Sequence, residues 1–429
     1  MRIRDPIHGS ITVSDDEKPV VDSRFYQRLR HVRQLGFGDL AFPGATHTRH
    51  AHSLGAMHVA SRLFDAVASR SSLTDGAKER FRAAVRLAVL CHDLGHMPLS
   101  HASEAIAPKR PSLRLPPWTG DDPGQASHED FTAKLLLDSS LTPIIAKTYD
   151  RYGITPELIA GLVIGRLPPG VEGFRDGGLD WTPLLRALVS GELDADRMDY
   201  LQRDSFYTGV NYGRYDIEWI LQNLIAAERN GRAVLALSKA AVFAFEDFLL
   251  SRYHMFLSVY YHHTSVSFDW MLKRYYEQAP GEFEVPADPE SFLFCVDIAL
   301  WTTLRRSKNE WAQRIVTRNG YRRVAQFTER DTDYDLADIS KALTEAGVEH
   351  FTLESRGVLS RYTDEGETPS LFVFDSASGR LTEVSAYTPL YQRFAGAVRL
   401  SRIFVRPEQL DVGKPIVAKL TGAARLSDE

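Results

Sequence analysis

The segment 77–94, AKERFRAAVRLAVLCHDL, repeats its apolar residues at helical spacing and then sets an imidazole beside a carboxylate at His92-Asp93. No other feature constrains the chain as much: it predicts a largely buried helix that carries two metal-quality donors near its end. More imidazole surrounds the pair. Of the 14 His in the chain, eight lie between residues 47 and 128: His47, His50, His52, His58, His92, His96, His101 and His128. A chain using His only as core or surface filler would spread them, whereas here they gather with Arg49, Asp93, Glu104 and Glu129.

The bulk numbers set the frame. At 429 residues the chain can bury a large core, and its length suggests about two or three domains. With 44% hydrophobic and 25% charged residues it reads as an ordinary soluble globular protein. A net charge of -5 argues against a dedicated nucleic-acid coat, although a local basic pocket is compatible with it. Two Cys, Cys91 and Cys295, make no disulfide framework, so a reducing cytoplasm is expected. MRIRDPIHGS lacks the apolar core of a signal peptide, and no run approaches the ~18 apolar residues of a membrane span.

Along the chain, 3–14 predicts a small hairpin after a Pro-Ile-His-Gly turn. Asp22 or Ser23 caps a helix expected to run to about Gly36, and Pro43-Gly44 marks a turn before a helix over 53–68. The Pro-, Gly- and Asp-rich stretch 107–127 reads as a loop over the His cluster. Helices are expected over 128–138, 155–166, 181–204 and the aromatic-rich 240–276. Past about residue 305 the texture changes: 331–340 caps a helix, 370–386 reads as a hairpin and RIFVRP as a strand. The expected fold is mainly α, a helical core over 1–300 with a smaller mixed α/β C-terminal lobe over 301–429.

A divalent ion needs several ligands, and imidazole with carboxylate suits Zn, Fe, Mn or Co better than Mg. His92 and Asp93 supply two, and His52 in the dense run 47–52 is a natural third. A fourth carboxylate comes from 192–200, where Asp194, Asp196 and Asp199 compete. His96 shares a face with His92 if the helix continues, where it is a candidate either as a further ligand or as a donor to substrate phosphate. His101 and Glu104 stand at the spacing at which a carboxylate orients an imidazole and keeps it charged, which suits a general acid. His128-Glu129 follows the loop as a further pair.

The segments PGATHTRHAHSLGAMHVA, LCHDLGHMPLSH, HED and LDADRMDYLQRD, in that order, resemble the HD-domain phosphohydrolases. More narrowly they are similar to the deoxynucleoside triphosphate triphosphohydrolase branch, over roughly residues 1–275. The resemblance implies His52, His92, Asp93 and Asp196 as metal ligands, and His101 with Glu104, and His128, as catalytic residues near the scissile phosphate. It implies Gln34 and Leu35 at the sugar 3′-hydroxyl, where they leave no room for a 2′-hydroxyl. Arg49, Arg197, Tyr200, Asp204, Arg252 and Tyr260 complete the implied phosphate and sugar contacts. Glu104 stands where animal members have Asp, Arg197 where they have Lys, and Phe256 where they have a His near the base. Asp22, Gln27 and Arg30 match an allosteric nucleotide site, with GTP or a dNTP as activator.

The implied reaction is water attack on the α-phosphorus of a dNTP, releasing deoxynucleoside and inorganic triphosphate, with one transition-metal ion at the HD site and Mg on the triphosphate. The resemblance also implies a homo-oligomer, dimer or tetramer. Two other readings keep parts of the same residues. One is a nucleotide monophosphatase or phosphodiesterase; the other is a sensor of nucleotide or single-stranded nucleic acid, which the mild acidity disfavours.

Overall fold

The computed structural model describes residues 1–328, 331, 334–358, 371–394 and 397–421. Strands β1 (Arg2–Asp5) and β2 (Gly9–Thr12) form the expected N-terminal hairpin. Ser23 caps the next helix by accepting from the Tyr26 N–H, but that helix covers only Arg24–Arg28 and a 3-10 turn at Leu29–His31. It stops short of Gly36 because the chain turns extended at Val32 and pairs with 47–49. That pairing sets Gln34 beside His47, whose carbonyl accepts the Gln34 N–H at 3.1 Å.

The core is built on helices α1 (Arg49–Ala68), α2 (Asp75–Cys91), α3 (His128–Leu137), α4 (Pro156–Ile164), α5 (Thr182–Val189) and α6 (Ala195–Thr208). α1 lies against both α2 and α6, and its apolar side packs through Leu54, Met57, Leu63 and Phe64. It begins at Arg49 rather than at residue 53, so His52 sits in its first turn. The expected single helix over 181–204 is two helices. Asp194 breaks it by accepting the N–H groups of Gly191 (2.9 Å) and Arg197 (2.7 Å), which makes it the cap of α6.

Strands β3 (Leu224–Arg229) and β4 (Arg232–Ser238) follow as a hairpin that the sequence analysis did not anticipate. The aromatic-rich segment then splits into α7 (Val242–Met255), a π-helical turn at Phe256–Tyr260 and α8 (His263–Gln278). Downstream, β5 (Arg322–Thr328), β6 (His350–Val358) and β9 (Ala397–Val405) form an antiparallel sheet with β9 in the middle. Helices Leu336–Glu345 and Leu410–Thr421 cover it around Val324, Phe327, Leu343, Ile403 and Val417. Between them, β7 (Phe372–Asp375) and β8 (Arg380–Glu383) form the hairpin expected over 370–386, of which residue 370 lies outside the described residues.

The hairpin does not join the C-terminal sheet. β7 runs parallel to β4, with Ala236 opposite Phe372 and Ser238 opposite Phe374. The fold is mainly α, with small sheets, as expected. Among the described residues no helix is long and apolar enough to cross a membrane.

Candidate active site

Three segments meet at one point: the first turn of α1, the end of α2 and the start of α6. His52 is completely buried, and its Nδ1 donates to Asp199 Oδ2 at 2.8 Å. His92, the C-cap just past α2, places Nδ1 2.6 Å from the Val89 carbonyl, to which it donates. Each bond fixes a tautomer and turns the other ring nitrogen the opposite way. The two Nε2 atoms so released converge on Asp196 Oδ1, at 2.9 Å for His52 and 3.4 Å for His92. Asp93 closes the group, 3.3 Å from His92 Nε2 and 3.7 Å from His52 Nε2.

Both Nε2 atoms are buried without a hydrogen-bond partner, although carboxylate oxygens stand beside them. Orphaned imidazole nitrogens facing two carboxylates, each imidazole anchored from behind, form a donor set that fits a divalent transition ion. Burial alone would lower the basicity of His52, but Asp196 and Asp199 push it up to about 10. Against the cost of burial, Arg49 and His92 hold Asp93 well below the usual carboxylate range.

The three competing aspartates have separate places. Asp194 caps α6, Asp199 anchors His52, and Asp196 alone of the three faces both orphaned nitrogens.

A second cluster adjoins the first. α2 ends at Cys91, so His96 arrives by a tight turn rather than on a continuing helix. Its Nε2 lies 3.3 Å from Asp93 Oδ1, and its ring stacks on His128 with centroids 4.0 Å apart. Glu104 Oε1 accepts from both His128 Nδ1 (2.7 Å) and His101 Nδ1 (3.1 Å). Burial works to raise the Glu104 pKa, yet the two imidazoles hold it well below the carboxylate range, so it stays ionised.

Gly95 makes this approach possible: a Cβ there would run into the His128 carbonyl and the Thr132 N–H at the start of α3. The loop 107–127 does not cover the cluster as expected, and none of its residues lines the cavity. Arg110 holds it instead to Asp130 (2.8 Å), a member of the capping box that starts α3.

Both clusters open into one cavity of about 520 Å³. Gln34, Leu35, Arg49, Tyr200, Asp204 and Tyr260 line it, each among the expected contacts. Arg49 is held by Asp93 Oδ2 (2.7 Å) and by Ser100 Oγ (2.8 Å). Asp204 accepts from Tyr260 Oη (2.9 Å) and from His47 Nε2 (2.6 Å). The π-helical turn contributes Phe256, Val259 and Tyr260 to the wall.

Behind Arg49, Leu99 and Ser100 hold left-handed backbone, with φ of 55° and 57°. Asp297, at the start of a helix over Asp297–Arg306, accepts the Leu99 N–H at 2.8 Å and the Arg33 N–H at 3.0 Å. The Ser100 hydroxyl donates to the Arg33 carbonyl at 2.7 Å.

Two expected phosphate contacts stand apart from the wall. Arg197 donates to the Gly191 carbonyl and lies 3.7 Å from Asp194, because the cap of α6 draws its guanidinium inward. Arg252 is buried, with Nε and Nη1 lacking hydrogen-bond partners, and burial together with Arg197 lowers its pKa. Neither is among the residues that line the cavity. Asp22, Gln27 and Arg30 lie outside it too: Asp22 and Arg30 are exposed, and Gln27 bridges the Val21 carbonyl (2.8 Å) and Arg30 (2.7 Å). The sequence analysis gave no role to His8, His47 or Asp297 and held Asp199 only as a competing ligand, not as the anchor of His52.

Comparison with known proteins follows the same outline. Residues 49–203 match the HD domain, and residues 215–359 match the HD associated region. An uncharacterised protein of Methanocaldococcus jannaschii is 32% identical over 343 residues, 79% of this chain and 62% of that protein. Deoxynucleoside triphosphate triphosphohydrolase SAMHD1 of Homo sapiens is 32% identical over 220 residues, 48% of this chain and 33% of that protein. Most of the curated relatives it matches exceed it in length, and the chain spans about half of them. The crystal structure of a hypothetical protein from Aquifex aeolicus superposes with a TM-score of 0.75 at 26% identity, covering 97% of this chain and 99% of that one. The chain therefore carries an HD domain followed by an HD associated region, and it resembles the deoxynucleoside triphosphate triphosphohydrolases.

Proposed function

We propose that the chain is a metal-dependent phosphohydrolase that converts dNTPs to deoxynucleoside and inorganic triphosphate. One observation carries the reading: a transition-metal donor set and an imidazole–carboxylate relay share one cavity, whose remaining wall offers Gln34, Tyr260 and Asp204 to a sugar. His52, His92, Asp93 and Asp196 would hold Fe, Mn, Zn or Co, which when bound supplies Lewis-acid polarisation of the phosphate and an acidified water.

The chain's own groups do the rest. Arg49, fixed by Asp93 and Ser100, meets a non-bridging phosphate oxygen with a preset guanidinium. His96 is kept neutral by burial and by Arg49, and with its Nε2 facing Asp93 it adds no charge beside the phosphate. As water adds to the α-phosphorus, the bond to the 5′-oxygen breaks, and His101 delivers its proton to that oxygen. Glu104 orients His101 through its Nδ1, and His128 braces Glu104 from the other side. Gln34 and Leu35 close on the sugar and exclude a 2′-hydroxyl, and Tyr260 adds a further sugar contact. Arg252 and Arg197 add positive charge behind Tyr200 for the triphosphate, which arrives with Mg. Asp22, Gln27 and Arg30 form the site of a GTP or dNTP activator at a contact between subunits of a dimer or tetramer.

The test is anion-exchange analysis of products from Mn- or Fe-loaded protein with each dNTP, alone and mixed, with and without GTP. Deoxynucleoside plus triphosphate is the expected result. Orthophosphate from deoxynucleoside monophosphates would move the reading to the monophosphatase, and no turnover at all would end the enzymatic one.

A further inference from the structure

The N-terminal turn Asp5-Pro6-Ile7-His8-Gly9 takes no part in the chemistry above, yet it reaches the back of the metal centre. Asp199, whose side chain is fully buried, has both oxygens doubly occupied. Oδ2 accepts from His52 Nδ1 (2.8 Å) and Arg203 Nε (2.8 Å), and Oδ1 from Arg203 Nη2 (3.0 Å) and His8 Nε2 (2.6 Å). The His8 side chain is 4% exposed although it belongs to an otherwise open hairpin. Its backbone is held as well: Asp5 Oδ1 accepts the N–H groups of Ile7 and His8, both at 2.9 Å, and Asp5 Oδ2 accepts from Arg203 Nη1 at 2.8 Å.

We propose that His8 is a positioning residue for the metal ligand His52, acting through Asp199. The inference rests on the reading of His52 as a ligand. An ionised carboxylate only accepts, so the His8 nitrogen facing it carries the proton. With that donor in place the carboxylate plane is fixed, and so is the direction of the His52 Nε2 lone pair. Without it Oδ1 keeps only its Arg203 contact, and the carboxylate, still forked to Arg203, tilts on the side that His8 had held. The His52 ring turns with it. The hairpin therefore helps to set the geometry of the centre from the side opposite the cavity, without touching substrate.

The experiment uses the full chain loaded with Co(II). His8→Phe keeps a ring against His58, whose centroid lies 5.2 Å from that of His8, but removes the donor. His8→Gln keeps an N–H at the same reach and loses the ring. His8→Phe is expected to weaken Co(II) binding about 10–100-fold in a chelator competition and to shift the visible d–d bands. His8→Gln is expected to restore most of both. Equal affinity and spectra in wild type and His8→Phe, or equal loss in both variants alongside equal loss of thermal stability, would overturn the proposal.

Long-range ¹H–¹⁵N spectra of the wild-type imidazoles give a check independent of any variant: His8 must appear as the Nε2–H tautomer, and an unprotonated Nε2 overturns it as well. Failure of the wild type itself to take up Co(II) would instead remove the metal reading of His52.

Discussion

At the scale of single residues, Gly55 shows how tertiary contact overrides local preference. It sits inside α1, where Ala would be favoured by about 1 kcal/mol. A Cβ at that point, however, would collide with the Asp199 carboxylate and the Arg203 guanidinium, the pair that anchors His52. Gly55→Ala is therefore expected to destabilise the protein, by about 1–3 kcal/mol as overpacking does, and to lower metal uptake with it. Urea unfolding with parallel metal analysis measures both, and a stabilised variant with normal uptake would refute the packing account. Much of the site was legible at this scale. His52 and the His92-Asp93 pair stand out because donors of one chemistry crowd a short stretch. Choosing among Asp194, Asp196 and Asp199 on residue chemistry alone was not possible, since all three lie within two turns and only packing decides which one caps, which anchors and which faces the cluster. The bonds from His8 to Asp199 and from His47 to Asp204 span 191 and 157 residues, and no local pattern announces such pairs.

At the scale of elements, the apolar period located most helices but not their breaks. The break at 190–194 had a signal, Ser190-Gly191 followed by a capping Asp194, which the period masked. Asn230-Gly231, both at positive φ in the turn between β3 and β4, is likewise a strong hairpin signal that went unread. The π-helical turn is different, because one extra residue per turn leaves no mark in composition. Its effect is to aim Phe256, Val259 and Tyr260 into the cavity while α7 and α8 keep their own packing. Deleting Leu257 should return the segment to α-helical register and swing Tyr260 away from Asp204. The expected outcome is loss of nearly all turnover with unchanged far-UV circular dichroism, and retained activity would show that the wall tolerates re-aiming.

At the scale of the whole molecule, two imidazoles outside the metal centre give stability a pH dependence of known sign. Burial, with His8 and Arg62 adding to it, lowers His58 to about 4, and burial with Arg323 lowers His263 to about 3, against an ordinary 6.5. The unfolded chain thus takes up protons first. Stability from these groups is complete above about pH 6.5 and drains away as pH falls toward 4. Melting curves at stepped pH should show His58→Gln and His263→Gln losing less than wild type across that window, and parallel curves would contradict it. The pairing of β7 with β4 also belongs here: the paired segments lie far apart in sequence, and each reads locally as half of an ordinary hairpin, so their parallel contact was invisible before the fold. The left-handed Leu99-Ser100 backbone has a consequence for how the molecule can be divided. Such conformations cost on the order of 1–3 kcal/mol each and last only where the surroundings impose them. Here the restraint is Asp297, which belongs to the HD associated region and not to the HD domain. A fragment ending at residue 203 would retain every candidate metal ligand yet let residues 99 and 100 relax, and Arg49 would lose its Ser100 support. The unit that shapes the candidate site is thus larger than the stretch that carries the HD signature, because the second matched region supplies Asp297 to it.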